Sequence, residues 1–167
     1  MLSAEERIGQ LVREYEKELL RLCCICLGDW TLAEDAVQET FIKAYRKLHS
    51  FREDSSVKTW LIRIAVNVCR DMRRTAWFRS RKRDMVAREE QSAVEGVETG
   101  ECSALTEAIM QLPPREKEAI LLYYYEGMSQ TEAARVLHIS TATVCRRLER
   151  AKTLLKVELE GGTDHEE

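Results

Sequence analysis

Four side chains between Arg63 and Arg74 have the types and spacing to grip a nucleic-acid strand. Arg63, Asn67, Arg70 and Arg74 recur at intervals of four, three and four, so on a helix they form one line. Three guanidinium groups suit phosphate oxygens, and an amide can read a base edge. A second set lies near the far end. Thr143, Arg146 and Arg150, with Thr153 beyond, share one side of a helical stretch, and Arg147 and Lys152 flank it. Arginine forms bidentate contacts with guanine that discriminate by about 1–3 kcal/mol each. One basic helix face alone is most often merely solvated. Two such faces in one chain, the second inside a recognisable motif, point to binding.

That motif is a helix-turn-helix. Ser129 followed by Glu132 is a capping box, so a helix starts there. Ala133, Ala134 and Leu137 fall at helical spacing on its inner side. His138-Ile139-Ser140 is short enough only for a turn, and Ser140 is a good N-cap for the next helix. There Val144, Leu148, Ala151 and Leu155 face inward, opposite the basic set. The second helix of such a unit enters the DNA major groove. The turn favours glycine at a position of positive φ. His138 stands there and is tolerated less readily.

The remaining elements position these faces. Residues 5–27 read as a helix with Ile8, Leu11, Val12, Tyr15, Leu19, Leu22, Cys23 and Cys26 on one side, ended by Gly28-Asp29. Thr31 and Glu34 suggest a second capping box, opening a helix to about Leu48. Its expected inner residues are Ala33, Ala36, Val37, Phe41, Ala44, Tyr45 and Leu48. Asp35, Gln38, Glu39, Lys43 and Arg46 form a mixed-charge outer face. After the polar loop 49–56, which holds Phe51, Ser55 or Ser56 caps a helix from Val57 to about Trp77. It carries Trp60, Leu61, Ile64, Ala65, Val68, Cys69 and Met72 inward. Phe51 is either a core anchor for its loop or a surface for stacking an unpaired base. Beyond Pro113-Pro114 a helix runs from about Arg115 to Tyr125, with Ala119, Ile120, Leu122 and Tyr123 on its packing side. Gly127 stops it.

The expected fold is all-α: two small helical domains joined by a flexible acidic linker. Glycine and proline are scarce (7 and 2 in 167 residues), and no alternating β-branched run occurs. The boundaries expected are 1–88, a linker over 89–104, 105–160, and a disordered tail over 161–167. The formal net charge of −3 hides an uneven distribution. Arg70, Arg73, Arg74, Arg79, Arg81, Lys82 and Arg83 form a basic block, and Glu89, Glu90, Glu95, Glu98, Glu101 and Glu107 follow without a cation among them.

Chemistry beyond binding finds little support. His49, His138 and His165 accompany no nucleophile constellation, and there is no glycine-rich phosphate loop. Of six cysteines, Cys23 and Cys26 make one zinc-like pair without a partner pair. Buried free thiols in a reducing compartment are expected, with no metal and no cofactor. A redox role for Cys145 is a weaker alternative. No apolar run reaches the roughly 18 residues of a membrane span, and charges begin at Glu5, so a cytoplasmic location without membrane insertion is expected.

Both halves resemble one family. The runs LAEDAVQETFIKAYRKLHSFREDSSVKTWLIRIAVNVCRDMRR and LPPREKEAILLYYYEGMSQTEAARVLHISTATVCRRLERAK, in this order, resemble regions 2 and 4 of bacterial extracytoplasmic-function (group IV) sigma factors. The resemblance implies an alternative sigma factor, not an enzyme, which joins core RNA polymerase and directs it to promoters. It implies a clamp-helix contact at Asp35, Gln38, Glu39 and Phe41, and a flap contact around Arg115–Tyr125. It assigns the −10 element to Phe51, Arg52, Ser55, Arg63, Asn67, Arg70 and Arg74. It assigns the −35 element to Thr141, Thr143, Arg146, Arg147, Arg150 and Lys152. Arg146 and Arg150 are the expected base readers, and Arg147 and Lys152 the phosphate contacts. An anti-sigma factor is the implied restraint, and the free protein is expected to be a monomer. The chain departs from the family at Val57, often Phe; at His138 and Ala142, often Gly; and at Cys145, often basic. Two other readings remain: a self-sufficient regulator with a sensing or dimerising first half, and a redox or metal protein built on Cys23, Cys24 and Cys26.

Overall fold

The structure, a computed structural model, describes residues 1–52, 54–75 and 104–161. These fall into two compact units, within Met1–Glu98 and Thr99–Glu167. Among the described residues the secondary structure is entirely helical. Arg79, Arg81, Lys82 and Arg83 of the basic block, Trp77, Cys102, residues 89–103 of the expected linker and residues 162–167 of the expected tail lie outside the described residues.

The described residues of the first unit form a three-helix bundle. Helix α1 (Ala4–Leu27) opens on a capping box that the sequence reading missed: Ser3 Oγ accepts from the Glu6 amide at 3.2 Å, and Glu6 Oε2 accepts from the Ser3 amide at 2.7 Å. It ends at Gly28, whose φ of 69° closes the last turn as its amide donates a hydrogen bond to the Cys24 carbonyl at 2.8 Å. That left-handed turn throws Asp29 into an extended conformation, and Asp29, not Thr31, caps α2 (Trp30–Lys47) by accepting from the Leu32 amide at 3.1 Å. A carboxylate at a helix N-terminus satisfies an orphan amide and meets the positive end of the dipole. Thr31 lies inside the helix, and Glu34 Oε1 accepts from the Trp30 indole at 2.7 Å instead of closing a box. A 3-10 turn, Leu48–Ser50, leads to the loop before α3 (Val57–Arg74), which Ser56 caps through the Thr59 amide at 3.1 Å. The helix stops at Arg74, where Thr75 turns extended, rather than at Trp77.

The three helices pack pairwise. Ala33, Ala36, Ala44 and Ala65 are fully buried, so the helices approach closely around Leu19, Leu22, Leu32, Leu61 and Val68. Thr40 is also fully buried, its hydroxyl satisfied by donating to the Ala36 carbonyl at 2.7 Å. Ile62 and Val66 join the core, so α3 is enclosed over a wider arc than its expected stripe. Tyr45, expected on the inner side, is exposed among the described residues. Ile8, Val12, Tyr15 and Met72 are only half-buried at the rim.

In the second unit α4 (Ala104–Met110) and α5 (Pro114–Ile120) precede the helix-turn-helix. Pro114 occupies the first turn of α5, where its missing amide costs nothing. The expected continuation to Tyr125 is a π-helical turn, Leu121–Tyr125, with the Glu126 amide donating to the Leu121 carbonyl at 3.0 Å. Its wider turn keeps Leu121 and Leu122 buried while Tyr124 and Tyr125 stand exposed, and Gly127 (φ 65°) terminates it. Helix α6 (Gln130–Leu137) carries the expected capping box, with the Glu132 amide donating to Ser129 Oγ at 3.1 Å. His138 adopts φ 56° and ψ 44° at its end, the one non-glycine residue of positive φ among those described. Helix α7 runs from Thr141 to Gly161 and so takes in residue 161, which the sequence placed in the tail. It packs on α4, α5 and α6 through Val144, Leu148 and Ala151.

Candidate nucleic-acid interface

The turn at His138 and the cap at Ser140 set the direction in which α7 departs from α6. Ser140 Oγ accepts from the Thr143 amide at 3.1 Å and lies 2.8 Å from Thr143 Oγ1. Arg146 Nη2 in turn donates to Thr143 Oγ1 at 3.1 Å. A chain of hydroxyls at the amino end of α7 thus holds the exposed Arg146 guanidinium, reducing the rotamer freedom it would lose on meeting a base. Thr141 is exposed and Cys145 and Arg147 are half-buried beside it.

Further along α7 the expected set divides. Arg150, with its side chain 69% exposed, places Nε 3.7 Å from Glu116 Oε1 on α5, a carboxylate only 8% exposed. Lys152 is exposed, with Nζ 5.6 Å from the centre of the Tyr124 ring. Its side-chain hydrogen bond with Tyr124 holds the ammonium above the ordinary lysine pKa. Thr153 turns its hydroxyl back onto the Glu149 carbonyl at 3.0 Å. Sequence reasoning missed Glu116 and Tyr124 because both belong to α5 and its π-helical turn, remote in sequence from α7. Glu116 and its neighbours Lys117 and Glu118 are buried, though charged residues on a short helix ordinarily face water.

In the first unit, Arg63, Asn67, Arg70 and Arg74 do lie along one side of α3. Arg63 and Arg74 are exposed, and Asn67 and Arg70 half-buried. Asp71 interrupts this face: it lies 4.0 Å from Arg74 and 3.9 Å from Lys43, an exposed arrangement of small energetic worth. Trp60, expected in the core, is half-buried at the mouth of the 51–56 loop. Its ring centre lies 4.7 Å from that of Phe51, with the planes inclined at 37°. The loop folds back over the first turn of α3, so the ring that helical spacing points inward meets Phe51 at the surface. Ser56 Oγ bonds Thr59 Oγ1 at 2.9 Å, and Lys58 pairs with Glu18 of α1 at 2.7 Å, fastening the loop's far end. Arg52 and Ser55 are exposed, and Val57 is half-buried.

The outer face of α2 has a composition that sequence alone did not display. Asp35 and Gln38 are exposed and Glu39 half-buried, as expected. Phe41 is 8% exposed and belongs to the core. The apolar residues that share the outer stripe are Ile42 (46% exposed) and Tyr45 (44% exposed), at helical spacing from Gln38. Ile42 falls outside the inner stripe of α2, which is the sequence signal that could have found it. Among the described residues no group of three His, Cys, Asp or Glu is arranged to hold a metal ion, and no helix is long and apolar enough to cross a membrane.

Comparison with known proteins matches both units. Residues 11–79 fit the family described as Sigma-70 region 2, and residues 102–155 fit Sigma-70, region 4. The ECF RNA polymerase sigma factor SigM of Bacillus subtilis is 31% identical over 95% of this chain and 99% of its own length. The RNA polymerase sigma-H factor of Pseudomonas aeruginosa is 33% identical over 85% of this chain and 80% of its own. Among solved structures, the sigma factor RpoE of Bartonella quintana, in complex with the anti-sigma factor NepR, superposes with a TM-score of 0.72 at 25% identity. That match covers 91% of this chain and 96% of RpoE. CnrH, in complex with the cytosolic domain of CnrY, gives a TM-score of 0.65 at 30% identity, covering 92% and 88%.

Proposed function

The chain belongs to the extracytoplasmic-function sigma factors of the sigma-70 family, and on that premise we propose how its surfaces divide the work of promoter recognition. As a sigma factor it binds core RNA polymerase and directs it to promoters. The α7 face reads the −35 element. Arg146 is its principal base reader, since recognition helices contact base edges with their amino-terminal residues and Thr143 pre-orients its guanidinium. Thr141 and Thr143 stand beside it. Arg147 and Lys152 contact phosphates. Arg150 braces α7 against α5 through Glu116 and contributes its remaining charge to the DNA backbone. This reading shifts Arg150 away from base recognition, and the observation carrying the whole assignment is the Ser140–Thr143–Arg146 chain.

The α3 face and the 51–56 loop engage the −10 element. Arg63, Arg70 and Arg74 follow the backbone of an opened strand, and Asn67 reads a base edge. An extruded base needs a stacking surface, and extrusion costs a few kcal/mol. The Phe51–Trp60 pair supplies that surface, with Arg52 and Ser55 at its rim. The outer stripe of α2 (Asp35, Gln38, Glu39, Ile42 and Tyr45) docks on the polymerase clamp helices, with Phe41 supporting it from beneath. Residues 115–125 meet the flap. The whole process uses binding energy and no catalytic residue of this chain, and its setting is the cytoplasm, where the polymerase is.

RpoE is in complex with the anti-sigma factor NepR and CnrH with the cytosolic domain of CnrY, which supports a restraining polypeptide partner here. Run-off transcription with core polymerase on a promoter library tests the proposal. Defined transcripts should begin only when this chain is added. A gel shift of duplex promoter DNA by the chain alone, with no transcripts from the holoenzyme, sinks it in favour of a self-sufficient regulator.

A further inference from the structure

Three thiols meet inside the first unit where the promoter reading assigns them no task. Cys23 and Cys26 sit one turn apart on α1, facing Cys69 of α3, and all three are almost completely buried. Cys69 shares side-chain hydrogen bonds with both. Arg73, one turn further along α3, donates Nη1 to the Cys26 carbonyl at 3.4 Å, so a cation lies at the edge of the cluster. Cys24 is buried as well, but Asp29 is the charge beside it.

We propose that Cys69 together with Cys23 or Cys26 is an oxidative modification site, where a hydroperoxide converts the contacting thiols into a disulfide between α1 and α3. The steps balance. One sulfur attacks the peroxide and becomes a sulfenic acid, the O–O bond breaks, and water (or an alcohol from an organic peroxide) leaves. The second thiol attacks the sulfenic sulfur, the S–S bond forms, and a second water leaves with both thiol hydrogens accounted for. The hydrogen bond with Cys23, followed by burial, holds the Cys69 thiol well above the ordinary range, while the hydrogen bond with Cys26 and the nearby Arg73 favour the thiolate that each attack needs. The third thiol is placed to exchange with the new bond.

The product alters the unit. A disulfide shortens a non-bonded sulfur contact to about 2.05 Å. Cys69 lies between Asn67 and Arg70 on α3, so drawing that turn toward α1 shifts the face that engages the opened strand. The site itself stands independently of the promoter reading; only this consequence rests on it.

The test treats the full chain with hydrogen peroxide, blocks remaining thiols with an alkylating reagent under denaturing conditions, and maps peptides with and without reductant. Expected is a peptide joining Cys69 to Cys23 or Cys26, abolished by dithiothreitol. Finding all three thiols alkylated, or oxidation confined to other cysteines, overturns the proposal. Holoenzyme made with the oxidised chain should open promoters less well, in proportion to the disulfide formed, and recover on reduction. The Cys69→Ser chain should keep its activity through the same treatment. If that chain does not fold, the Cys23→Ala/Cys26→Ala double variant serves the same comparison. Full activity of the wild-type chain at complete disulfide formation overturns the regulatory consequence while leaving promoter recognition intact, which the reduced chain reports separately.

Discussion

The carboxylate of Glu116 on α5, almost wholly buried, lies 3.7 Å from the guanidinium of Arg150 on α7. The helix proposed to read the −35 element is thus tied through one of its own arginines to the helix behind it. Arg150→Ala leaves a largely buried carboxylate without this cation. Because the arginine is itself mostly exposed, the expected loss is modest, about 1 kcal/mol, measurable by urea denaturation of the full chain. Promoter binding should weaken by a similar factor on every −35 variant. Loss confined to one base position counts against the bracing role.

Arg146 should behave in the opposite way. Its guanidinium is held by Thr143 near the start of α7. Arg146→Ala should lower holoenzyme affinity at one −35 base pair by about 1–3 kcal/mol and leave affinities on DNA already substituted there nearly equal. Competition binding with singly substituted promoters makes the comparison. Thr143→Val should produce a smaller loss at the same position.

Phe51 and Trp60 form a tilted pair, and such pairs contribute about 0.5–1.5 kcal/mol beyond their buried area. Trp60→Leu should loosen the 51–56 loop and impair promoter opening, read as permanganate reactivity of −10 thymines, more than it impairs assembly with core polymerase. Asn67→Ala should do the same without changing stability. Equal loss of assembly and opening would argue for a purely structural pair.

The exposed Ile42 and Tyr45 predict where core polymerase is gripped. Ile42→Asp should weaken assembly with core while leaving the helical circular dichroism and unfolding midpoint near those of the parent. Phe41→Ala should instead unfold the first unit, by the roughly 3–5 kcal/mol that removing a buried aromatic ring costs. A stable Phe41→Ala chain with selectively poor polymerase binding contradicts this division.

His138 sits at φ 56° in a turn that glycine occupies without strain. The left-handed conformation costs an L residue roughly 1–2 kcal/mol, so His138→Gly should raise the stability of the second unit by up to about 1 kcal/mol, visible in thermal unfolding. No gain would show that contacts of the imidazole offset the strain.

Much of this molecule is written in local sequence. The Ser129–Glu132 box, the Ser140 cap, the strain at His138 and the line from Arg63 to Arg74 follow from residue types within a few positions of one another, because helix starts, turns and faces are set by neighbouring groups. What lies between elements was not legible. Thr31 looked like a cap until the left-handed Gly28 placed Asp29 first. Trp60 and Tyr45 had inward spacing, yet Trp60 meets Phe51 of the preceding loop and Tyr45 is exposed. Phe41 is buried as its spacing predicts, but the exposure of Ile42 beside it went unread, although one residue along α2 rotates a side chain by about 100°, enough to cross from core to surface. Glu116 beside Arg150, and Cys69 against Cys23 and Cys26, join residues dozens of positions apart. Only the packing of whole helices brings such groups within bonding distance, and no periodicity along the chain encodes it.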